Sequence, residues 1–321
     1  MPLRDEMLRA LETHRHAPLS GQTLADRFSV SRTAVWKAVK ELKAQGYRID
    51  STNNRGYQLS PDDDHLSASA IARHLHDDIP VYVYDALDST LNEAKRRAAG
   101  GETLFLVAAD SQTAGRGRRG RQFFSPAGTG LYLTLAMPLR LSGEAAPSIT
   151  AYAAVCVCKA IEALTGKQGR IKWVNDIFLD GRKLCGILTE ASTSLESGMI
   201  DEIFIGIGVN VYPSAVPEEL REIVGFLNPD APVRNRLAAE IANGLCQFAG
   251  NWETFFTDYR ARSLTIGRRV QCTVGNDTFP ATAVGIDPLG GLMVKLDDGT
   301  ERTLYSGEAK LLPLPGREAS V

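Results

Sequence analysis

Residues 111–121 read Ser-Gln-Thr-Ala-Gly-Arg-Gly-Arg-Arg-Gly-Arg, which sets Arg116, Arg118, Arg119 and Arg121 among Gly115, Gly117 and Gly120. Glycines let a backbone turn sharply and present N–H groups to a ligand, while guanidinium forks match pairs of phosphate or carboxylate oxygens. The spacing also satisfies G-x-G-x-x-G, the dinucleotide expression, which requires a strand before it and a helix after it. Leu104 to Ala109 reads as that strand, but Phe123-Phe124-Ser125-Pro126 and a second apolar run, Leu131 to Ala136, follow. A glycine loop flanked by strands on both sides excludes the Rossmann reading. The alternatives are a solvated arginine run or an unstructured RGG-like grip on RNA. The run is short, unrepeated and enclosed by strands, which favours ligation of a small anion.

Composition bounds the rest. The 321 residues suit two or three domains with room for a real core. Hydrophobic residues at 44%, charged residues at 23% and a net charge of −2 give no whole-chain argument for nucleic acid. Between Arg32 and Arg55, however, Arg32, Lys37, Lys40, Lys43, Arg48 and Arg55 outnumber Glu41 and Asp50, so a basic face can hide inside a neutral total. Met1-Pro2-Leu3-Arg4-Asp5 carries charges where a signal peptide needs an apolar core, and no stretch reads as apolar enough to span a membrane, so no membrane partner and a cytoplasmic location are expected. Cys156, Cys158, Cys185, Cys246 and Cys272 are odd in number and set in apolar surroundings, which suits buried, reduced thiols. All five histidines precede residue 77. Chemistry around the glycine loop must therefore run on Lys, Arg, Asp, Glu, Ser or Thr, which argues against a Ser-His-Asp triad or a His-rich zinc site.

Taken in order, residues 3 to 13 place Leu3, Met7, Leu8 and Leu11 on one helical face. Ser20 caps a second helix carrying Leu24 and Phe28, and Ser31 caps a third whose Val35, Ala38, Val39 and Leu42 form a stripe ending at Gly46. Joined by the tight Ser29-Val30 turn, the last two form a helix-turn-helix. Arg32, Thr33, Trp36, Lys37 and Lys40 stay on the outer face, which would enter a major groove. Tyr47 to Ile49 and Tyr57 to Leu59 flank Asn53-Asn54-Arg55-Gly56, a wing that carries Arg55. A helical protein-interaction domain with a basic face is the competing reading; helix, turn, helix and wing in sequence favour DNA. This domain is expected over 1–61, with Pro61-Asp62-Asp63-Asp64 leading out of it.

From Leu66 the pattern is mixed: a short helix near Ala68 to Leu75, a strand at Val81 to Tyr84, and a helix opened by Asp88-Ser89-Thr90, where a plain helix cap is the commoner role for Ser89 or Thr90 and a ligand the alternative. A long apolar helix runs from about Pro147 to Leu164. Thr165-Gly166-Lys167 tempts a P-loop reading, but Gln168 stands where Ser or Thr is needed and Ile161 replaces the first glycine. Ile171 to Asp176 delivers Lys172, Asn175 and Asp176 to one turn. Lys183 heads an apolar strand to Glu190, paired with Ile203 to Val209, which ends in Gly206-Ile207-Gly208-Val209-Asn210. A lysine heading a buried strand either snorkels or meets an anion. One helix is expected from about Arg234 to Tyr259, closing a domain over 66–262. Beyond Gly267, closely spaced turns at Gly275-Asn276-Asp277, Pro288 to Gly291 and Asp297 to Gly299 indicate a small SH3-like barrel, 267–315, in which nothing suggests catalysis.

Four loop arginines with Lys172, Lys183, Asn175 and Asp176, and no histidine or evident nucleophile, suit activation of a carboxylate by ATP. Bringing two anions together is then an electrostatic and positioning problem. At this point nearly the whole chain resembles the bifunctional biotin protein ligases that also repress the biotin operon. The resemblance rests on Asp88 to Thr90, Gln112 to Arg121, Lys172 to Asp176, Lys183 to Glu190 and Gly206 to Asn210, five motifs in order. It implies a multidomain α+β chain: a winged helix-turn-helix, a central mixed-sheet biotin/lipoate ligase-like catalytic domain, and the SH3-like C-terminal barrel. It implies ATP with Mg²⁺ and biotin as substrates, biotinyl-5′-AMP as intermediate and corepressor, biotin carboxyl carrier protein as acceptor, operator DNA bound through residues 20–57, and a ligand-linked homodimer.

The same resemblance assigns Ser89, Thr90, Gln112, Gly115, Arg116, Gly117, Arg118, Lys183, Gly186, Leu188 and Gly206 to biotin. Arg118, Arg121, Phe123, Lys172, Asn175, Asp176 and Asn210 go to ATP or the adenylate, and Lys183, Arg118, Arg121 and Asp176 to catalysis. Arg32, Thr33, Trp36, Lys37, Lys40 and Arg55 go to DNA, and no protein-fixed metal is implied. Three positions depart from the family pattern: Phe123 stands for a common Trp, Leu91 for a common Asn, and Val174 for a frequent Pro. The rivals are a lipoate or octanoate ligase, whose substrate would not need the polar Ser89, Thr90, Gln112 and Arg116, and a biotin-sensing transcription factor without catalysis, against which Lys183, Arg118 and the Lys172–Asp176 motif argue.

Overall fold

The computed structural model describes residues 2–52, 55–142, 146–193, 199–247 and 252–313. The N-terminal part is α1 (Leu3–Thr13), α2 (Gly21–Phe28), α3 (Arg32–Ala44), β1 (Ile49–Thr52) and β2 (Gly56–Leu59). Ser20 and Ser31 cap α2 and α3 through bonds accepted from Thr23 N and Ala34 N. Ser29, between the helices, takes a left-handed φ of 53°. Met7, Leu11, Leu24, Val35, Val39, Leu42 and Leu59 form this part's own core. Gly56 has φ +103°, and a Cβ there would sit 2.0 Å from Leu19 O, so the wing strand enters only with glycine at that point. Asn53 and Asn54 of the expected wing turn lie outside the described residues.

The central elements are α4 (Ala68–Ala72), β3 (Val81–Tyr84), α5 (Thr90–Ala99), β4 (Phe105–Ala109), β5 (Gly130–Ser142), α6 (Ala146–Thr165), β6 (Arg170–Lys172), β7 (Asp176–Leu179), β8 (Arg182–Thr193), β9 (Met199–Asn210), α7 (Arg234–Cys246) and α8 (Trp252–Arg262). The strands form one seven-stranded sheet of order β3-β4-β5-β9-β8-β7-β6. Only β3 and β4 run parallel; the other pairs are antiparallel, as a mixed sheet requires. Both faces are covered. In β4, Leu106 and Ala108 join the large core with α6 and α7, while Phe105 and Val107 pack with α5 residues Leu91 and Ala94. That alternation explains why β4 reads as a continuous apolar run.

Two expectations are corrected here. The single helix from Arg234 to Tyr259 is two, α7 and α8; Gly250-Asn251 falls between them, and glycine is costly inside a helix. Phe248, within the expected helix, lies outside the described residues. Residues Pro147–Thr165 of α6 are long and apolar enough to cross a membrane by length and composition, contrary to the sequence expectation. Here the helix spends that surface on the core, with Ala151, Ala154, Val157, Cys158 and Ile161 buried.

The C-terminal part is β10 (Arg269–Val274), β11 (Asp277–Ile286), β12 (Leu292–Lys295), β13 (Glu301–Leu304) and β14 (Glu308–Leu311), an antiparallel sheet of order β13-β12-β11-β10-β14. It rests on the central sheet at the β6–β7 turn, where Trp173 Nε1 donates to Gly290 O at 3.0 Å. Cys156, Cys158, Cys185 and Cys272 are buried free thiols, and Cys246 is half-buried.

Candidate functional site

A cavity of about 290 Å³ opens at the end of the central sheet, between the glycine loop, the N-terminus of α5, the β6–β7 turn and residues 214–226. Its floor is flat because β8 and β9 pair glycine with glycine: Gly186 opposes Gly208 in register, and Gly206 opposes Leu188. The Phe123 ring lies on that pair. A Cβ on Gly208 would come within 2.5 Å of the ring and one on Gly186 within 3.1 Å. Phe123 also meets Tyr132 edge-on, with ring centroids 6.3 Å apart.

The glycine loop is tied to itself. Phe123 N donates to Gly115 O at 2.9 Å, and Gly117 N to Arg121 O at 2.8 Å. A Cβ on Gly115 would stand 2.4 Å from Phe123 O, so this close crossing admits no side chain. Arg118–Gly120 form one tight turn with Arg119 at φ 57°. The sequence expectation of strands on both sides, β4 and β5, is what the structure contains.

At one end of the cavity lies a small polar cluster. Ser89 caps α5 by accepting from Leu91 N at 3.2 Å. Gln112 Oε1 accepts from Thr90 N at 2.9 Å and Thr90 Oγ1 at 3.3 Å, while its amide donates to Ser125 Oγ at 2.9 Å. Thr134, from the buried side of β5, donates to Thr90 Oγ1 at 2.9 Å. Leu91 and Leu188 add apolar wall. Gly206 keeps this end open, since its Cβ would fall 3.3 Å from Leu188 O and 3.8 Å from Leu91 Cδ1.

The other end is cationic. Lys183 Nζ pairs with Asp176 at 2.7 Å, both partly buried. Asn210 Nδ2 donates to Lys183 O at 3.4 Å, and Asn175 Nδ2 to Ile187 O at 2.9 Å. Arg118 Nη1 reaches Asn175 Oδ1 at 3.3 Å. Lys172 Nζ stands over the Phe178 ring at 5.8 Å. Burial lowers the pKa of the Lys172 ammonium, with Asp176 opposing the shift, and burial likewise lowers that of the Arg118 guanidinium, with Arg119 adding to it. Lys172, Lys183 and Arg118 thus gather around Asp176, while the nearby Glu308 is already engaged by Arg119 and Arg121. That leaves a surplus of positive charge where water is scarce, and an anion entering here would relieve the imbalance.

The remaining loop arginines are held at the rim. Arg116 pairs with Glu190 at 2.8 Å and reaches Asn92 Oδ1, in the first turn of α5, at 3.3 Å. Arg121 grips Glu308 of β14 with both terminal nitrogens, at 3.2 and 2.9 Å, and Arg119 approaches the same carboxylate at 3.7 Å. Arg121 holds the Glu308 carboxyl below its ordinary range. The structure therefore gathers Ser89, Thr90, Gln112, Arg118, Phe123, Lys172, Asn175, Asp176, Lys183, Gly186, Leu188, Gly206 and Asn210 around one cavity, with Arg116, Gly117 and Arg121 at its edge.

Sequence reasoning missed three contributors. Val216, Leu220, Val224 and Phe226 supply a wall from a stretch with no motif. Thr134 completes the Gln112 cluster from a run that reads as plain strand. Glu308 comes from the part expected to be inert, and the excess of arginines over acids in the loop was the available hint.

On α3, Val35, Ala38, Val39 and Leu42 are buried, and Arg32, Thr33, Lys37 and Lys40 are exposed. Trp36 is 52% exposed, with Lys40 Nζ 5.2 Å from its ring, an unusual amount of aromatic surface to leave in water. Arg55 is exposed beside β2.

Comparison with known proteins places names on this geometry. The biotin/lipoate A/B protein ligase family matches residues 83–210, an HTH domain matches 4–58, and the biotin protein ligase C terminal domain matches 265–312. The bifunctional ligase/repressor BirA of Bacillus subtilis is 32% identical over 323 residues, spanning 96% of this chain and 98% of that protein. BirA of Escherichia coli is 29% identical, spanning 91% and 92%. In fold, the chain is similar to the biotin protein ligase from Aquifex aeolicus solved with biotin and ATP, with a TM-score of 0.60, 24% identity, and coverage of 73% of this chain and 98% of that one. Because the alignment with the Bacillus protein runs through both the DNA-binding and the ligase parts, the chain belongs to the bifunctional ligase/repressor BirA family of biotin protein ligases.

Proposed function

We propose that this protein activates biotin with ATP to biotinyl-5′-AMP and passes the biotinyl group to a lysine of biotin carboxyl carrier protein. Its division of labour is a winged helix at 1–61, a catalytic domain at 66–262 and an SH3-like domain at 267–315. The observation that carries the reading is the two-ended cavity: Lys183, Lys172 and Arg118 converge at one end, and the hydrogen-bonded Thr90–Gln112 cluster with Leu91 and Leu188 forms the other.

In the first step a carboxylate oxygen of biotin attacks the α-phosphorus of ATP, the bond to the bridging oxygen breaks, and pyrophosphate leaves with the electron pair. Lys183, paired with Asp176, meets the biotin carboxylate and the phosphoryl group formed from it. Lys172 and Arg118 neutralise the nucleotide, and Asn175, Asp176 and Asn210 orient it. Desolvated cations stabilise developing charge more strongly than solvated ones, so their burial serves rate as well as binding. Mg²⁺ carried with the nucleotide supplies further neutralisation. In the second step the neutral amine of the acceptor lysine attacks the biotinyl carbonyl, the C–O bond to AMP breaks with AMP taking the electron pair, the nitrogen gives up one proton to solvent, and an amide forms. Phe123 on its glycine floor offers an aromatic face to the adenylate, and the wall at 214–226 with the glycine loop excludes water from the mixed anhydride.

Ser89, Thr90, Gln112, Gly115, Arg116, Gly117, Gly186, Leu188 and Gly206 serve biotin. Arg121 serves ATP from its place on Glu308. Arg32, Thr33, Trp36, Lys37, Lys40 and Arg55 bind operator DNA as part of residues 20–57, with biotinyl-5′-AMP as corepressor and a ligand-linked homodimer as the repressing form, in the cytoplasm. The lipoate or octanoate alternative is disfavoured by the polar cluster, because an alkyl or dithiolane end leaves Thr90 and Gln112 without added partners.

The test is pyrophosphate exchange into ATP, run with biotin, lipoate and octanoate in parallel. Exchange with biotin alone is expected. Lys183→Ala should lower it by about 100-fold or more, the scale of removing one transition-state donor, while the thermal midpoint holds. Exchange with lipoate, or an unimpaired Lys183→Ala, would overturn the assignment.

A further inference from the structure

Arg234 opens α7 outside the lining of the cavity, and it is 4% exposed. Burying a guanidinium is costly and is compensated only when its donors are met. Here they are met by three separate pieces of chain. Nε and Nη2 donate to Asp64 O at 3.0 and 2.6 Å, while Nη1 donates to Asp110 Oδ1 at 2.7 Å and Gly130 O at 3.2 Å. Asp110 uses its other oxygen to accept from Gly128 N at 2.9 Å.

The two ends of the loop therefore meet at one side chain. Asp110 immediately precedes the segment carrying Gln112, Gly115–Arg121 and Phe123, and Gly128 and Gly130 follow it. The opposite wall of the cavity starts from the same place. Tyr212, at the head of the wall residues, donates its hydroxyl to Asp64 Oδ2 at 2.5 Å and its backbone N to Thr129 O at 2.7 Å. The Arg234 backbone N completes the knot by donating to Asp64 Oδ1 at 3.0 Å. Asp64 itself lies in the stretch joining β2 to α4, between the winged helix and the catalytic sheet.

We propose that Arg234 is a positioning residue: its ion pair with Asp110 clamps both ends of the substrate loop and sets the geometry in which the loop meets its ligands. Arg234 touches no substrate and acts through Asp110. A stable fold alone would be served as well by apolar packing at this site, whereas a fork with donors in two directions fixes the two loop ends against each other. The inference rests on the loop's role in binding biotin and ATP, as proposed above.

Arg234→Ala would strand Asp64 and Asp110 in the interior and can fail to fold, so the test uses milder changes. Asp110→Asn keeps the acceptor for Gly128 N but removes the charge facing Arg234. Asp64→Asn is the control: it removes a more distant charge, 3.6 Å from Arg234 Nε, yet leaves Arg234 its two bonds to the Asp64 backbone carbonyl and its contact with Asp110. Trypsin reads the loop without any ligand, since it cuts after Arg116, Arg118, Arg119 and Arg121. In Asp110→Asn, cleavage in the loop should rise about ten-fold, with sites elsewhere in the chain unchanged, and Asp64→Asn should leave loop cleavage within about two-fold of the parent. In pyrophosphate exchange, Asp110→Asn should raise KM for biotin about ten-fold with kcat within about three-fold, the signature of lost preorganisation rather than lost chemistry. Loop cleavage that does not change, that rises equally in Asp64→Asn, or that rises with KM unaltered would overturn the proposal. A parent enzyme without biotin-dependent exchange would sink the functional reading alone, and the cleavage comparison would still judge the clamp.

Discussion

At the scale of single residues, the cavity floor depends on what Gly208 lacks. Its backbone is ordinary β-strand, so alanine fits the strand itself; the conflict is with the Phe123 ring, 2.5 Å from where the Cβ would stand. Gly208→Ala should therefore destabilise the empty protein by about 1–3 kcal/mol, the usual cost of overpacking a filled site. In a Phe123→Ala background the added methyl finds space, so the double mutant should recover about 1 kcal/mol or more of that loss in urea denaturation. Strict additivity would mean that the ring does not rest on the glycine. Two glycines, 206 and 208, in one apolar strand are a sequence signal that a ligand or backbone approaches there, since glycine otherwise weakens a strand. That Phe123 lies against Gly208 is not legible, because an approach between stretches so far apart along the chain leaves no local periodicity.

Among elements, the tie between the glycine loop and β14 adds a pH dependence whose sign follows from Glu308. Its carboxyl is held low first by the Arg121 hydrogen bonds, against the opposing effect of burial. A carboxylate depressed in the folded state contributes stability above its unfolded pKa of about 4.3 and loses that contribution as pH falls through the lower folded value. Thermal midpoints of the parent should accordingly exceed those of Glu308→Gln near neutrality and converge with them below about pH 4; a constant gap from about pH 3 to 7 would refute the tie. β3, α5, the β8–β9 hairpin and the caps Ser20, Ser31 and Ser89 were readable because each is fixed by neighbours within a few residues. The break between α7 and α8 was misread because apolar residues continue at helical spacing across it. The contribution of β14 went unread because a single surface glutamate carries no pattern, and its meaning arises only when a distant arginine faces it.

On the scale of the whole molecule, the basic face of α3 is built to act at a distance from the cavity, on a separate core of its own. Lys37 and Lys40 project from the side of α3 opposite Val35, Ala38 and Val39, so truncating them removes charge without opening that core. A cation that neutralises a phosphate releases a counterion, and the slope of log affinity against log salt falls by about 0.9 for each phosphate left unneutralised. If the repressing form is a dimer, Lys37→Ala with Lys40→Ala frees up to about four phosphates of a two-fold operator, and the slope should flatten by about 2–4. Trp36, exposed beside Lys40, belongs to the same surface, but its removal should reduce affinity with little change in slope, because an aromatic ring displaces no counterions. The pair of measurements separates phosphate grip from base or sugar recognition, and it is best made with biotin and ATP present, alongside sedimentation to follow association. A slope unchanged by removing both lysines would assign this face to a protein partner, since only a polyanion returns condensed counterions to solution in proportion to the charges that displace them.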